Sequence, residues 1–142
     1  MECTVRWMGS DAGMSFVAET GSGHAVVMDG APEAGGRNIG PRPMEMVLAG
    51  AGGCSAFDVV MILQKSRQAV TACDVRLEAE RAATDPKVFT RIHLRYRVKG
   101  KALKREAVVR AIELSKEKYC SASIMLGKTA EITYDFEIID EA

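Results

Sequence analysis

Gly40-Pro41-Arg42-Pro43-Met44-Glu45-Met46-Val47-Leu48-Ala49-Gly50-Ala51-Gly52-Gly53-Cys54-Ser55-Ala56 passes from loop to helix within its first few residues. Pro43 suits a first helical turn, where its missing N–H has no intrahelical partner to lose. From Met46 to Phe57 no residue is charged, and the run is bounded by Glu45 and Asp58. The pattern predicts a helix from Met44 to about Arg67. A membrane span needs about 20 such residues, so the run reads as a buried core helix. Its centre is built of small residues. Three glycines inside a helix cost about 1 kcal/mol each relative to alanine. Close approach of another helix or backbone is the usual return for that cost. A helix that is apolar all round sits inside the protein or against a second subunit.

Upstream of this helix, residues 30–43 hold Gly30, Pro32, Gly35, Gly36, Gly40, Pro41 and Pro43, a loop long enough to suspect a role of its own. Before that loop, residues 2–8, 14–19 and 24–29 alternate as strands, with a turn at Gly21-Ser22-Gly23. Downstream, residues 70–82 and 87–99 read as two long strands around Thr84-Asp85-Pro86-Lys87. The charges of Arg91, Arg95 and Arg97 alternate with Ile92, Leu94, Tyr96 and Val98, as in a sheet with one wet face. Residues 102–118 form an amphipathic helix, and a short helical or turn segment runs from Ser121 to Leu126. Residues 130–138 are a last strand. The order β-β-β-α-β-β-α-β predicts one α+β domain over residues 1–142, with antiparallel sheets around a long central helix.

Composition excludes several classes. The chain has 142 residues, 47% of them apolar and 27% charged, which fits one globular domain. Nineteen basic residues balance nineteen acidic ones and aromatics are 6%, so neither bulk nucleic-acid binding nor base stacking is expected, and no nucleic-acid partner. The N-terminal residues lack a secretory layout, and the expected compartment is the cytoplasm, where thiols stay reduced. Gly127-Lys128-Thr129 resembles the end of a phosphate loop, but position 122 is Ala and a strand follows, so it is set aside.

Four cysteines remain: Cys3, Cys54, Cys73 and Cys120. No Cys-x-x-Cys and no zinc-finger spacing is present, so neither a structural metal nor a cofactor is expected. Cys3 and Cys73 read as small core hydrophobes. Cys54 lies in the small-residue helix centre. Cys120 closes the second helix beside Ser121 and Ser123, whose hydroxyls suit a thiolate. Each of the two is also readily a packed core residue. If the helices cross at their small residues, the two sulfurs approach, and spacing alone leaves that open. A working thiolate needs a cation or donor. The loop offers Arg37 and Arg42, and Glu45 can orient an arginine; both arginines also read as solvated loop charges, a reading weakened by their closeness to the entry of an apolar helix.

The segment Gly40–Ala56 resembles the proline-to-cysteine segment of the OsmC/Ohr family. Tyr119-Cys120-Ser121-Ala122-Ser123, followed by Ala130-Glu131-Ile132-Thr133-Tyr134-Asp135, resembles that family's second cysteine and last strand. The resemblance covers nearly the whole chain. It implies an intertwined homodimer that reduces organic hydroperoxides and hydrogen peroxide in the oxidative stress response. It further implies that Cys54 attacks the peroxide, Cys120 resolves the sulfenic acid to a disulfide, and a dithiol reductant reopens it. Arg37 would serve the thiolate, with Arg42 as its rival. In the family a glutamate follows the motif proline directly; here that position is Met44 and the acid is Glu45, about 100° further round a helix. The alternative on the same scaffold is a non-catalytic binding protein whose interface cleft takes a small hydrophobic or acyl ligand. The eight methionines suit such an adaptable apolar pocket.

Overall fold

The computed structural model covers residues 1–142. The chain groups into two compact units, Met1–Leu48 and Ala49–Ala142, with the boundary inside the long helix.

In the first unit, β1 (Cys3–Trp7), β2 (Ser15–Thr20) and β3 (Ala25–Asp29) form an antiparallel meander in that order. The alternation read in the sequence gives these strands their register, Val5 facing Ala18 and Val17 facing Val27. Every residue of β1 is exposed, so Cys3 is a surface thiol and not the core residue expected. The loop after β3 is built around Asp29, which is 1% exposed. The backbone N–H groups of Gly30 (2.8 Å), Arg37 (2.9 Å) and Ile39 (3.2 Å) all donate to its carboxylate. The loop folds back so tightly that a Cβ at Gly36 would lie 1.7 Å from the Gly30 carbonyl oxygen. Only glycine fits there.

The helix α1 runs Pro43–Lys65, 23 residues. At its start the Arg42 N–H donates to Glu45 Oε2 at 2.9 Å, which satisfies one of the orphan donors of a helix N-terminus. By length and composition alone α1 could cross a membrane, with a mean hydropathy of 1.9 in its most apolar window. Its residues Ala51, Gly52, Ser55, Asp58, Val59 and Leu63 are buried at spacings of three and four, which makes one face of the helix the core of the second unit. A Cβ at Gly52 would lie 2.6 Å from Leu77 Cδ1, so this glycine admits a sheet side chain.

The rest of the second unit is a sheet of β4 (Ala69–Arg81), β5 (Phe89–Lys101) and β6 (Glu131–Asp140), in the order β4-β5-β6. β5 buries Ile92, Leu94, Tyr96 and Val98 and exposes the arginines between them, as its alternation predicts. β4 and β5 are antiparallel, but β6 pairs parallel to β5. The expectation of wholly antiparallel sheets is corrected here. The chain between β5 and β6 is a crossover long enough to bring the last strand back in the same direction. It contains α2 (Arg105–Leu114), a π turn over Ser115–Tyr119 and α3 (Ser121–Leu126). α2 adds Val108, Ala111 and Ile112 to the core.

Candidate functional site

The site grows from two helical accidents in the second unit. On α1, Cys54 and Asp58 are one turn apart and therefore share a face. After α2, the helix widens into its π turn, and the Cys120 N–H bonds back five residues to the Ser115 carbonyl at 2.8 Å. Single π turns of this kind are frequent at functional sites. This one ends with Cys120 as the N-cap of α3, its sulfur accepting the Ser123 N–H at 3.4 Å.

These pieces converge. The sulfurs of Cys54 and Cys120 and a carboxylate oxygen of Asp58 all lie within 4.8 Å of one another. All four cysteines are free thiols. Cys54 is partly exposed, whereas Cys120 is fully buried. Burial pushes the Cys120 thiol up, and the neighbouring Cys54 sulfur pushes it further; the Ser123 donors offset part of that.

Behind the sulfurs runs a buried hydroxyl chain. Tyr96 Oη and Ser55 Oγ share a hydrogen bond of 2.6 Å, Ser55 Oγ and Ser115 Oγ one of 3.1 Å, and Ser115 Oγ donates to Asp58 Oδ2 at 3.1 Å. A carboxylate only accepts. With Asp58 ionised, one donor order satisfies the chain: tyrosine to Ser55, Ser55 to Ser115, Ser115 to Asp58. Burial lifts the Tyr96 phenol to about 12 against the lowering effect of its Ser55 bond, so it stays a donor.

Of the residues singled out in the sequence, Cys54 and Cys120 are thus brought together. Arg37, Arg42 and Glu45 belong to the first unit. There the Glu45 carboxylate partners Arg42, whose Nη1 is 3.5 Å from Oε1. Arg37 is held through its backbone N–H by Asp29. Cys73 is half-buried, and burial followed by the charge of Asp74 raises its thiol to about 11, which makes it inert near neutrality. Asp58, Ser55, Ser115 and Tyr96 were not singled out. A lone acid four residues after a cysteine, in the middle of an apolar helix, is the signal that was available for Asp58.

Fold and site together define an α+β protein with two neighbouring thiols, one on a small-residue helix and one capping a short helix. The chain belongs to the OsmC-like protein family, whose model matches residues 35–135. It is 48% identical over 139 residues to Protein YhfA of Escherichia coli K12, covering 98% of each chain. It is similar to the crystal structure of a hypothetical protein from Aquifex aeolicus, with a TM-score of 0.83, 29% identity, and 99% and 97% of the two chains covered. An organic hydroperoxide resistance protein OsmC from Legionella pneumophila shares the fold at a TM-score of 0.66 and 14% identity, with 99% and 98% covered.

Proposed function

We propose that this chain reduces organic hydroperoxides by a two-cysteine mechanism. The observation that carries the reading is the sulfur pair, one thiol open and one buried, within 4.8 Å of a shared carboxylate. The open thiol is the one a substrate reaches. The Cys54 thiolate attacks the distal peroxide oxygen, the O–O bond breaks, and the alkoxide leaves as the alcohol by taking from solvent the proton that the thiol had given up. Cys54 is then a sulfenic acid. The Cys120 sulfur attacks the Cys54 sulfur, the S–O bond breaks, and the Cys120 proton leaves with the hydroxyl as water. A dithiol reductant reopens the disulfide by exchange. Arg37 is assigned to the developing charge on the peroxide, with Arg42 as the rival and Glu45 as the acid that orients the guanidinium.

The reading extends to a homodimer. On α1, Gly50 and Gly53 have no atom within 4 Å of where a Cβ would stand, and Phe57 is 67% exposed. These residues form a stripe opposite the buried face. A second copy of the same helix fits such a stripe, and its close approach accounts for glycines that otherwise only weaken the helix. The cytoplasm, with its dithiol reductants, is the matching compartment.

Stopped-flow consumption of a tert-alkyl hydroperoxide tests the mechanism. Cys54→Ser abolishes turnover, Cys120→Ser leaves one stoichiometric burst, and Arg37→Ala slows the burst by 10²-fold or more, on the order expected for loss of a group positioned at developing charge. Equal and negligible consumption by wild type and Cys54→Ser would overturn the reading.

A further inference from the structure

The second unit contains a charge that its own fold does not neutralise. Asp58 is 8% exposed, and it takes part in none of the chain's ion pairs. Its hydrogen bond comes from the neutral hydroxyl of Ser115. Buried charges in proteins are paired or coordinate metals. What stands next to Asp58 is not a cation but two thiols.

We propose that Cys54, Asp58 and Cys120 of the reduced protein form a binding site for a thiophilic divalent cation, with Zn²⁺ as the ion that fits best. Tetrahedral zinc takes Cys sulfur at about 2.3 Å and carboxylate oxygen at about 2.0–2.2 Å, which places the donors under about 4 Å apart. The three donor atoms already lie within 4.8 Å of one another, so the set closes by shifts of about 1 Å. Two ligands come from successive turns of one helix face. The third caps another helix, so all three stand on regular structure. Each buried ligand also has an outer partner of the kind that orients metal ligands: Ser115 Oγ on Asp58 Oδ2 and the Ser123 N–H on Cys120 Sγ. The fourth position falls on the side of Cys54, the partly exposed ligand, and a water completes the shell. Two thiolates and one carboxylate leave a single net negative charge around the ion, and thiolate donors exclude Mg²⁺ and Ca²⁺.

Zinc takes both cysteines as thiolates, so it competes with protons and with oxidation for the same two sulfurs. The site is consequently redox-gated. A diazene oxidant such as diamide takes two electrons and two protons from the dithiol, the S–S bond forms, and the ion loses two of its three ligands. None of this requires the thiols to turn over peroxide, so the metal site and the peroxidase reading stand or fall separately.

The test uses the whole reduced protein, freed of metal by chelator and kept anaerobic. Titrated with Co²⁺, the wild type gives a thiolate-to-cobalt charge-transfer band in the near ultraviolet that saturates at one ion per chain. Zn²⁺ then bleaches it and a hundredfold excess of Mg²⁺ does not. Cys54→Ser and Cys120→Ser each weaken the band, while Asp58→Asn keeps both sulfurs and loses at least tenfold in Zn²⁺ affinity against a chromophoric chelator. Should a cysteine variant fail to fold, diamide treatment of the wild type makes the same point: binding disappears and returns on reduction. No saturable band in the reduced wild type, or Zn²⁺ affinity unchanged in Asp58→Asn, overturns the proposal. Peroxide consumption by the metal-free protein is recorded alongside and reads out the other hypothesis.

Discussion

Each unit of this protein buries an aspartate, and the two are treated in opposite ways. Asp29 in the first unit accepts three backbone N–H groups from its own loop. Asp58 in the second accepts one side-chain hydroxyl. The first carboxylate is a hub that fixes the path of a loop rich in glycine and proline. The second has one neutral donor and stands beside two sulfurs. A buried acid whose bonds are all local is architecture; one that faces two thiols and no cation is placed to share a ligand with them.

Removing the hub is the most damaging test of this contrast. Asp29→Asn replaces a charged acceptor of three N–H groups with an amide that has one acceptor oxygen and brings donors of its own. Melting by circular dichroism is expected to fall by about 10 °C. The acid limb gives the same contrast a sign. Burial pushes the Asp29 carboxyl up, but the N–H donors of Arg37, Ile39 and Gly30 outweigh it and hold the group below its ordinary value of 3.8. A depressed folded value means stability that is present above pH 3.8 and lost as pH falls through the lower, folded value. The wild type should therefore lose stability across that acidic window, and Asp29→Asn should lose less of it. An Asp29→Asn protein as stable as wild type, with an unchanged acid limb, would erase the distinction between the two aspartates.

A smaller effect is expected on the other side. Asp58→Asn keeps an acceptor for Ser115 and removes a buried charge that has no ion-pair partner. In metal-free protein its stability should lie within about 1 kcal/mol of wild type by urea titration. A loss several times larger would mean that Asp58 is as structural as Asp29.

The same contrast explains how much was legible in the sequence. The element order and the glycine helix were readable, because strand alternation and small-residue runs are local patterns. So was the pairing of Cys54 with Cys120 as a suspicion. The parallel pairing of β6 was not, since nothing in the alternation of Glu131 to Ile138 encodes strand direction; that comes from the length of the crossover. The exposure of Cys3 was missed because an apolar neighbourhood in sequence says nothing of which sheet face is covered. Both aspartates escaped notice for one reason. Asp29 is defined by donors eight and ten residues away, and Asp58 by Ser115, fifty-seven residues away. An acid's place in the sequence points at most to its own helix neighbours, as Cys54 is for Asp58, and not to donors this far along the chain.

The mildest change sharpens the comparison furthest, because it separates glycines the chain requires from glycines it leaves open. Gly36 in the first unit has a carbonyl where its Cβ would be, whereas Gly53 in the second has nothing within 4 Å. Within a single chain, Gly53→Ala should therefore be favourable by up to about 1 kcal/mol, the difference in helix propensity. If a second copy packs on that stripe, the added methyl separates the two helices and the gain is spent against the interface. The two cases differ in their dependence on protein concentration. In dilute solution Gly53→Ala should melt a few degrees above wild type, and at high concentration the advantage should shrink or reverse as wild type gains stability by association. Sedimentation velocity at the same concentrations should show the variant dissociating first. A concentration-independent advantage would leave the stripe as bare surface and remove the interface from the proposed mechanism.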